Sequence, residues 1–317
     1  MFKKWITLEL SLVFLAAIVS TFESCNANKK EDTKDLAHSE VVSKTTLPKK
    51  ELSDAFKDYW YAGEAEITSY KLEQARYGEM REGTAVLIYV TEPFLAEKQT
   101  KADGNNPDNI PVLKLNATKN YLTGIYPYSI MSSSFYPVYD NSHAIKLSFS
   151  SQEWCGQVYS QLNNRDKFEI MSHSYFENEA DQSINLEKNI LENELWNKLR
   201  INPKELPVGE FKVIPSFEHI RLSHSELKAY NANLALTDNG LVSTYEINYP
   251  ELKREVKINF DSRFPYAIIG WSETFESGFG NSKKVMTSTA TKIKTIKSPY
   301  WQKNRNEFLP LRDSLGL

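Results

Sequence analysis

The chain has 317 residues, 41% of them hydrophobic and 12% aromatic, with 38 Lys and Arg against 41 Asp and Glu. That length permits one large or two small domains, and the apolar content is enough for a real core. A formal net charge of −3 supplies no basic stripe, so nucleic acid is excluded as the expected partner.

Residues 1–24 read as a signal peptide. Lys3 and Lys4 form its positive start, and Ile6 to Val19 is an apolar stretch too short for a comfortable membrane span. Phe22-Glu23-Ser24-Cys25 follows, with a small residue just before a cysteine. This resembles the relaxed cleavage site of Bacteroidetes-type lipoproteins, which implies that Cys25 is the lipid attachment residue and becomes the acylated first residue. The alternative is an ordinary signal peptide with an incidental thiol. Acyl chains contribute about 0.8 kcal/mol per buried CH₂, so several of them anchor a protein stably. Lys3, Lys4, Glu9 and Glu23 cancel, and the mature chain keeps its −3. With Cys25 acylated, Cys155 has no partner for an intramolecular disulfide.

Residues 25–50 form the acylated cysteine and a flexible tether, polar and without apolar periodicity. About 23 such residues reach roughly 25–30 Å. Lys29-Lys30-Glu31-Asp32 resembles a surface-export signal of such lipoproteins; the plain alternative is a solvated linker. Residues 51–317 show no composition break and no fixed-length repeat, and read as a single β-rich domain.

Ser53 is an N-cap for a short helix through Asp58. Tyr59 to Glu92 then reads as a hairpin. Ala65, Ile67 and Ser69 alternate with Glu64, Glu66 and Thr68, so one face is expected in water. The return strand Thr84 to Thr91 is apolar on both faces. Gln74 to Gly83 is expected as the turn between them, with Gly78 and Gly83 supplying unusual dihedrals. QARYGE, REGTAVLIYVTE and KQTKAD, between Gln74 and Asp103, resemble a family of uncharacterised Bacteroidetes-type lipoproteins, over about Leu52 to Trp301. Some members carry the label "septum formation inhibitor Maf". The Ser-x-Ser-Pro-Arg-Arg start of the Maf nucleotide pyrophosphatases does not occur in this chain. The resemblance therefore brings no catalytic residues.

Asp103 to Asn109 has oxygens that calcium would accept, but its spacing is that of ordinary turn formers. Val112 to Val138 reads as two strands turning near Gly124-Ile125, and Ala144–Phe149, Glu153–Leu162 and Phe168–Phe176 as three more. Ile184 to Leu199 carries Leu186, Ile190, Leu191, Leu195 and Leu199 at helical spacing, with Glu187, Glu192, Glu194 and Lys198 elsewhere on the wheel. Strands resume at Phe211. Lys228–Leu236 and Leu241–Tyr249 flank Asn239-Gly240, a strong hairpin signal. Arg254–Phe260, Tyr266–Phe275 and Lys284–Ile296 follow, and Pro299-Tyr300-Trp301 closes the fold.

No nucleophile elbow, phosphate loop, H-E-x-x-H or C-x-x-C occurs, and neither a metal nor a cofactor is expected. Cys155, with His143, His173, His219 or His224 as base, is a candidate nucleophile; beside Trp154 it reads more simply as a small buried hydrophobe. His219 and His224 lie five apart, a poor spacing for metal. Glu64 and Glu66 are a candidate carboxylate pair whose plainer reading is a solvated face.

The expected fold is mainly β, a single large antiparallel curved sheet or incomplete barrel with one covering helix. The second half resembles the lipoprotein-carrier type of half-barrel. A cavity in such a fold would be lined by Tyr126, Tyr128, Phe135, Tyr136, Tyr245, Tyr249 and Trp271. The expected function is non-enzymatic: an outer-membrane lipoprotein, on the periplasmic face or the cell surface, that binds a hydrophobic or lipidic ligand or serves envelope assembly. Its expected partners are the membrane, through the anchor, and that ligand. An envelope hydrolase using Cys155 or a carboxylate pair is the second reading, and a structural accessory subunit the third.

Overall fold

A computed structural model describes residues 50–317. Cys25 and the expected signal peptide and tether up to residue 49 lie outside the described residues.

Helix α1 (Asp54–Trp60) starts where Ser53 accepts a hydrogen bond from the Phe56 amide, and it buries Phe56 and Trp60. Strands β1 (Ala65–Arg76) and β2 (Glu79–Leu95) form the long first hairpin, followed by the two-residue β3 (Thr100–Lys101), β4 (Asn109–Thr123) and β5 (Tyr126–Pro137). Then come β6 (Lys146–Glu153), β7 (Gly156–Asn164), β8 (Phe168–Ser174), β9 (Gln182–Leu186) and β10 (Ile190–Leu191). Helix α2 (Glu192–Ile201), β11 (Gly209–Ile214) and helix α3 (Phe217–Ser223) interrupt the meander. The chain ends with β12 (Tyr230–Asp238), β13 (Val242–Tyr249), β14 (Arg254–Asp261), β15 (Ile268–Ser277), β16 (Lys284–Ser298) and helix α4 (Pro310–Leu315).

All sixteen strands belong to one curved, unclosed sheet, and strand makes up 54% of the protein against roughly 20–25% in an average domain, so the fold is mainly β. From one edge to the other the order is β10-β11-β12-β13-β14-β15-β16-β1-β2-β4-β5-β6-β7-β8-β9, with β3 beside β2. Every pairing is antiparallel except β10 with β11. Register shifts at Ser69/Tyr70 and at Asn259/Phe260 help the sheet bend. It curls around α2, whose Leu195 and Leu199 join one core with residues from both halves, such as Leu113 and Ile258.

Four expectations change. The first turn is Tyr77-Gly78, both at positive φ (56° and 76°), a two-residue hairpin rather than the long Gln74–Gly83 loop. Gly83 lies within β2, because a Cβ there would sit 2.3 Å from the Asn120 carbonyl oxygen. Residues Ala65 to Tyr70 are buried on both faces: Leu315 of α4 and Tyr300 pack on the Ala65–Ile67 side, and α2, through Arg200, covers Glu66 on the side expected in water. The helix expected from Ile184 begins only at Glu192; the residues before it form β9 and β10, whose Ile184 and Leu186 alternate as a strand. The hairpin at Asn239-Gly240 and the turn at Gly124-Ile125 stand where the turn residues placed them.

Candidate functional site

Helix α2 is apolar on one side only, yet Glu192, Glu194, Asn197, Lys198 and Arg200 are buried too. Enclosure by the sheet forces each polar group to find a partner inside. Arg200 donates through Nη1 and Nη2 to both oxygens of Glu66, 2.7 Å each, and Tyr59 donates to the same carboxylate. Glu192 accepts from Arg254 (2.8 Å from Nη2) and from the Tyr249 hydroxyl (2.8 Å). Arg254 also holds Glu273 at 2.6 Å, and His219 approaches that glutamate at 3.5 Å. Glu194 accepts from the Ala144 amide at 2.7 Å and meets His143 at 3.0 Å.

A cavity of about 70 Å³ lies beside this network. Leu87, Leu115, Val256, Trp196 and Trp271 form its apolar wall; Lys119, Glu218, Glu192, Arg254 and Glu273 form the charged one. It would hold about two waters at roughly 30 Å³ each, and it is well short of the roughly 300–1,000 Å³ of a small-molecule site.

Of the seven residues expected to line a cavity, Trp271 lines this one, and Tyr136 borders only a far smaller space of about 10 Å³. Tyr136, Tyr245 and Tyr249 are fully buried core residues; the Tyr245 hydroxyl donates to the Pro207 carbonyl at 2.8 Å. Tyr128 is buried in a stack on Tyr121, with ring centroids 5.0 Å apart, and Tyr126 sits half-buried at the same sheet end. Phe135 belongs to the opposite face of the sheet, against Phe94. Aromatic richness in these strands fills a core, because large rings are what a tightly curled sheet needs on its inner face.

The larger space is elsewhere. The sheet's free edge, β7 to β9, faces α3 and the segment leading into β12 across a seam, and this cleft measures about 620 Å³. Val158, Ile184, Leu186, Phe217, Ile220 and Leu227 give it apolar walls. Ser160 and Ser172 are hydrogen-bonded to each other on its floor (2.7 Å), and Lys228 stands at its border. One polar group ties the two sides together. Glu179, on the loop between β8 and β9, accepts from Ser174 Oγ and from His224 Nδ1, 2.7 Å each, and meets Arg221 Nη1 at 3.4 Å. Burial pushes the Glu179 carboxyl up, but the bonds from His224 and Ser174 and the Arg221 charge together hold it below its ordinary range. Arg221 is 5% exposed and lies over the Phe176 ring at 4.0 Å.

Helix α3 escaped the sequence reading, although Pro215-Ser216 before Phe217 is a start signal: the Ser216 hydroxyl accepts from the His219 amide. His219 lies on that helix, and His224 ends it in the left-handed region at φ 56°. The two point into different clusters.

Cys155 is exposed on the turn between β6 and β7, not buried. A turn tip has no sheet neighbour to cover it. Its amide donates to Glu153 at 2.6 Å, and the hydrogen bond and charge of that carboxylate push the thiol above its ordinary value, the reverse of what a nucleophile needs. His143, His173, His219 and His224 each face a carboxylate. Glu66, expected in solvent, is buried by α2 and paired with Arg200, which removes it from a free carboxylate pair. No group of three metal-ligating side chains occurs among the described residues.

No family model and no curated protein matches the chain. Among solved structures it is similar to a porin-like protein from Bacteroides uniformis, with 9% identity over 73% of this chain and 96% of that one, at a TM-score of 0.21. That likeness is too slight to carry an argument.

Proposed function

We propose that this protein is an envelope lipoprotein, anchored through Cys25, that holds a hydrophobic or lipidic small molecule in the seam cleft without transforming it. The observation that carries the reading is the cleft itself. Its volume of about 620 Å³ falls within the range of small-molecule sites, and apolar side chains from both sides of the seam wall it. The interior cavity is too small for such a ligand, so the binding place moves from the aromatic core to the seam.

Titration with a fluorescent fatty acid tests this. Micromolar binding with a negative ΔCp is expected, as apolar surface leaves water. Ile184→Asp should abolish uptake while leaving the unfolding transition in place, because Ile184 is half-buried at a free edge. Absence of binding by the folded wild-type protein sinks the reading. The anchor is tested apart from it: Cys25→Ser should give a soluble protein that takes up no palmitate.

One observation favours the accessory-subunit reading instead. Phe279 (64% exposed) stacks on Tyr77, and Trp154 (69% exposed) stacks on Tyr126, on turns at one end of the sheet. Exposed aromatics so placed are what a partner protein covers. Loss of a co-purifying protein on Trp154→Ser would support that role.

A further inference from the structure

We propose that the seam cleft selects amphiphiles bearing an oxyanion head, a carboxylate or a phosphate monoester, and that this head takes the place of the Glu179 carboxylate at Arg221 and His224. The inference rests on the seam cleft as the binding place and adds the chemistry of the ligand.

Arg221 is the reason. A guanidinium carries five N–H donors in a planar fork, suited to two parallel bonds with a carboxylate or phosphate. Arg221 is more than nine-tenths buried and lines the cleft, but its Nε–H has no acceptor among the described residues. Its one carboxylate contact, Nη1 to Glu179, is long at 3.4 Å. By contrast, Arg200 and Arg254 each make two-pronged bonds to a glutamate, with no N···O distance above 2.8 Å. The two arginines of the α2 network are thus paired in full, whereas Arg221, like Arg76, keeps an Nε–H without an acceptor among the described residues, and of these two Arg221 is the one that lines the seam cleft. A buried charged donor left in that state is costly, and a ligand oxyanion with two free oxygens would remove the deficit.

Glu179 already occupies the acceptor position as an internal stand-in. It belongs to a loop rather than to a strand, and Ser174 Oγ at 2.7 Å could retain it after displacement from Arg221. His224 is half-exposed and shares the same Glu179 oxygen, so it gains the ligand as a second acceptor. Beyond the head-group position lie Ile220, Phe217, Ile184 and Leu186, which can take the apolar tail.

The test uses the full chain carrying Cys25→Ser, so that no attached acyl group competes for the cleft. Decanoate, decyl phosphate, decanol and inorganic phosphate are titrated separately by calorimetry. Either anionic amphiphile is expected to bind at least about tenfold tighter than decanol, the size of one charge-assisted hydrogen bond. The tighter of the two names the head group. Arg221→Gln should abolish that preference while leaving decanol affinity unchanged. Glu179→Gln, which removes the internal competitor, should strengthen binding of the anionic amphiphiles but not of decanol. Equal affinity for decanol and the anions in the wild type overturns the proposal, as does an anion preference that survives Arg221→Gln. Inorganic phosphate binding as tightly as decyl phosphate also overturns it, by showing an oxyanion site with no use for a tail. If decanol and both anions all fail to bind, the seam cleft is not the binding place, and both readings fall together. Should Arg221→Gln lose its unfolding transition, Glu179→Gln decides alone: no gain in anion affinity refutes the displacement.

Discussion

Replacing Arg200 by Met should destabilise the protein strongly at neutral pH and only slightly in mild acid. Methionine keeps most of the buried volume between Trp60 and Tyr89, whose ring centroids lie 4.9 Å and 4.6 Å from the guanidinium carbon, so the packing loss is small. What remains is Glu66, 2% exposed, with its cation gone. A buried carboxylate without a cation escapes most cheaply by taking a proton. From an ordinary pKa of 4.5, protonation at pH 7 costs about 3.4 kcal/mol, at 1.36 kcal/mol per unit. At pH 5 the same step costs about 0.7 kcal/mol. The destabilisation of Arg200→Met should therefore shrink by about 2.7 kcal/mol between pH 7 and pH 5, and its value at pH 7 should fall within the roughly 3–5 kcal/mol seen when one partner of a buried pair is removed. Urea unfolding followed by tryptophan fluorescence, wild type against variant at both pH values, measures this directly. Adding Glu66→Gln to Arg200→Met should remove most of the pH dependence. A destabilisation equal at the two pH values would refute the argument, because it would mean that Glu66 reaches water once Arg200 is gone.

Stability should fall on acidification in two stages. Burial and the neighbouring Arg254 charge push the His219 imidazole below its ordinary 6.5. The unfolded chain therefore takes that proton first, and stability declines as pH drops below about 6.5. Burial alone would raise the carboxyls of Glu66, Glu192 and Glu273, but the arginine charges, helped by hydrogen bonds, outweigh it and hold all three low. Their contribution is complete above about 4.5 and is lost as pH falls below it, so a urea midpoint that is flat or rising from pH 7 to pH 4 would contradict the network. Cys155 should react with one equivalent of a maleimide in the native protein, and Glu153→Gln should speed that reaction near neutrality; labelling that requires denaturant would show the thiol to be covered. Gly83→Ala should cost at least about 1–3 kcal/mol from overpacking against β4, whereas Gly104→Ala, with open space around it, should stay within about 0.5 kcal/mol. Equal effects in a denaturant series would remove the close approach of β2 and β4.

The sequence by itself determined the class of fold and most of its strands. Period-two alternation and turn residues are local signals, carried within a few positions, and Asn239-Gly240, Gly124-Ile125 and the Ser53 cap all act at that range. It misplaced Gly83, because a strand glycine dictated by the approach of β4 looks the same as a turn glycine until the partner strand is known. It took the position of Glu66 for solvated surface and placed the charged residues of α2 only elsewhere on the wheel, since a strand pattern or a helical wheel distinguishes faces without saying what covers them. Only the curl of the sheet decided that. It brings Glu66 to Arg200 across 134 residues, Glu192 to Arg254 across 62, and Glu179 to His224 across 45. The seam cleft was hidden for the same reason: its two walls come from opposite edges of the sheet, and the gap between edges depends on the summed twist and bulges of sixteen strands, which no local stretch of residues encodes.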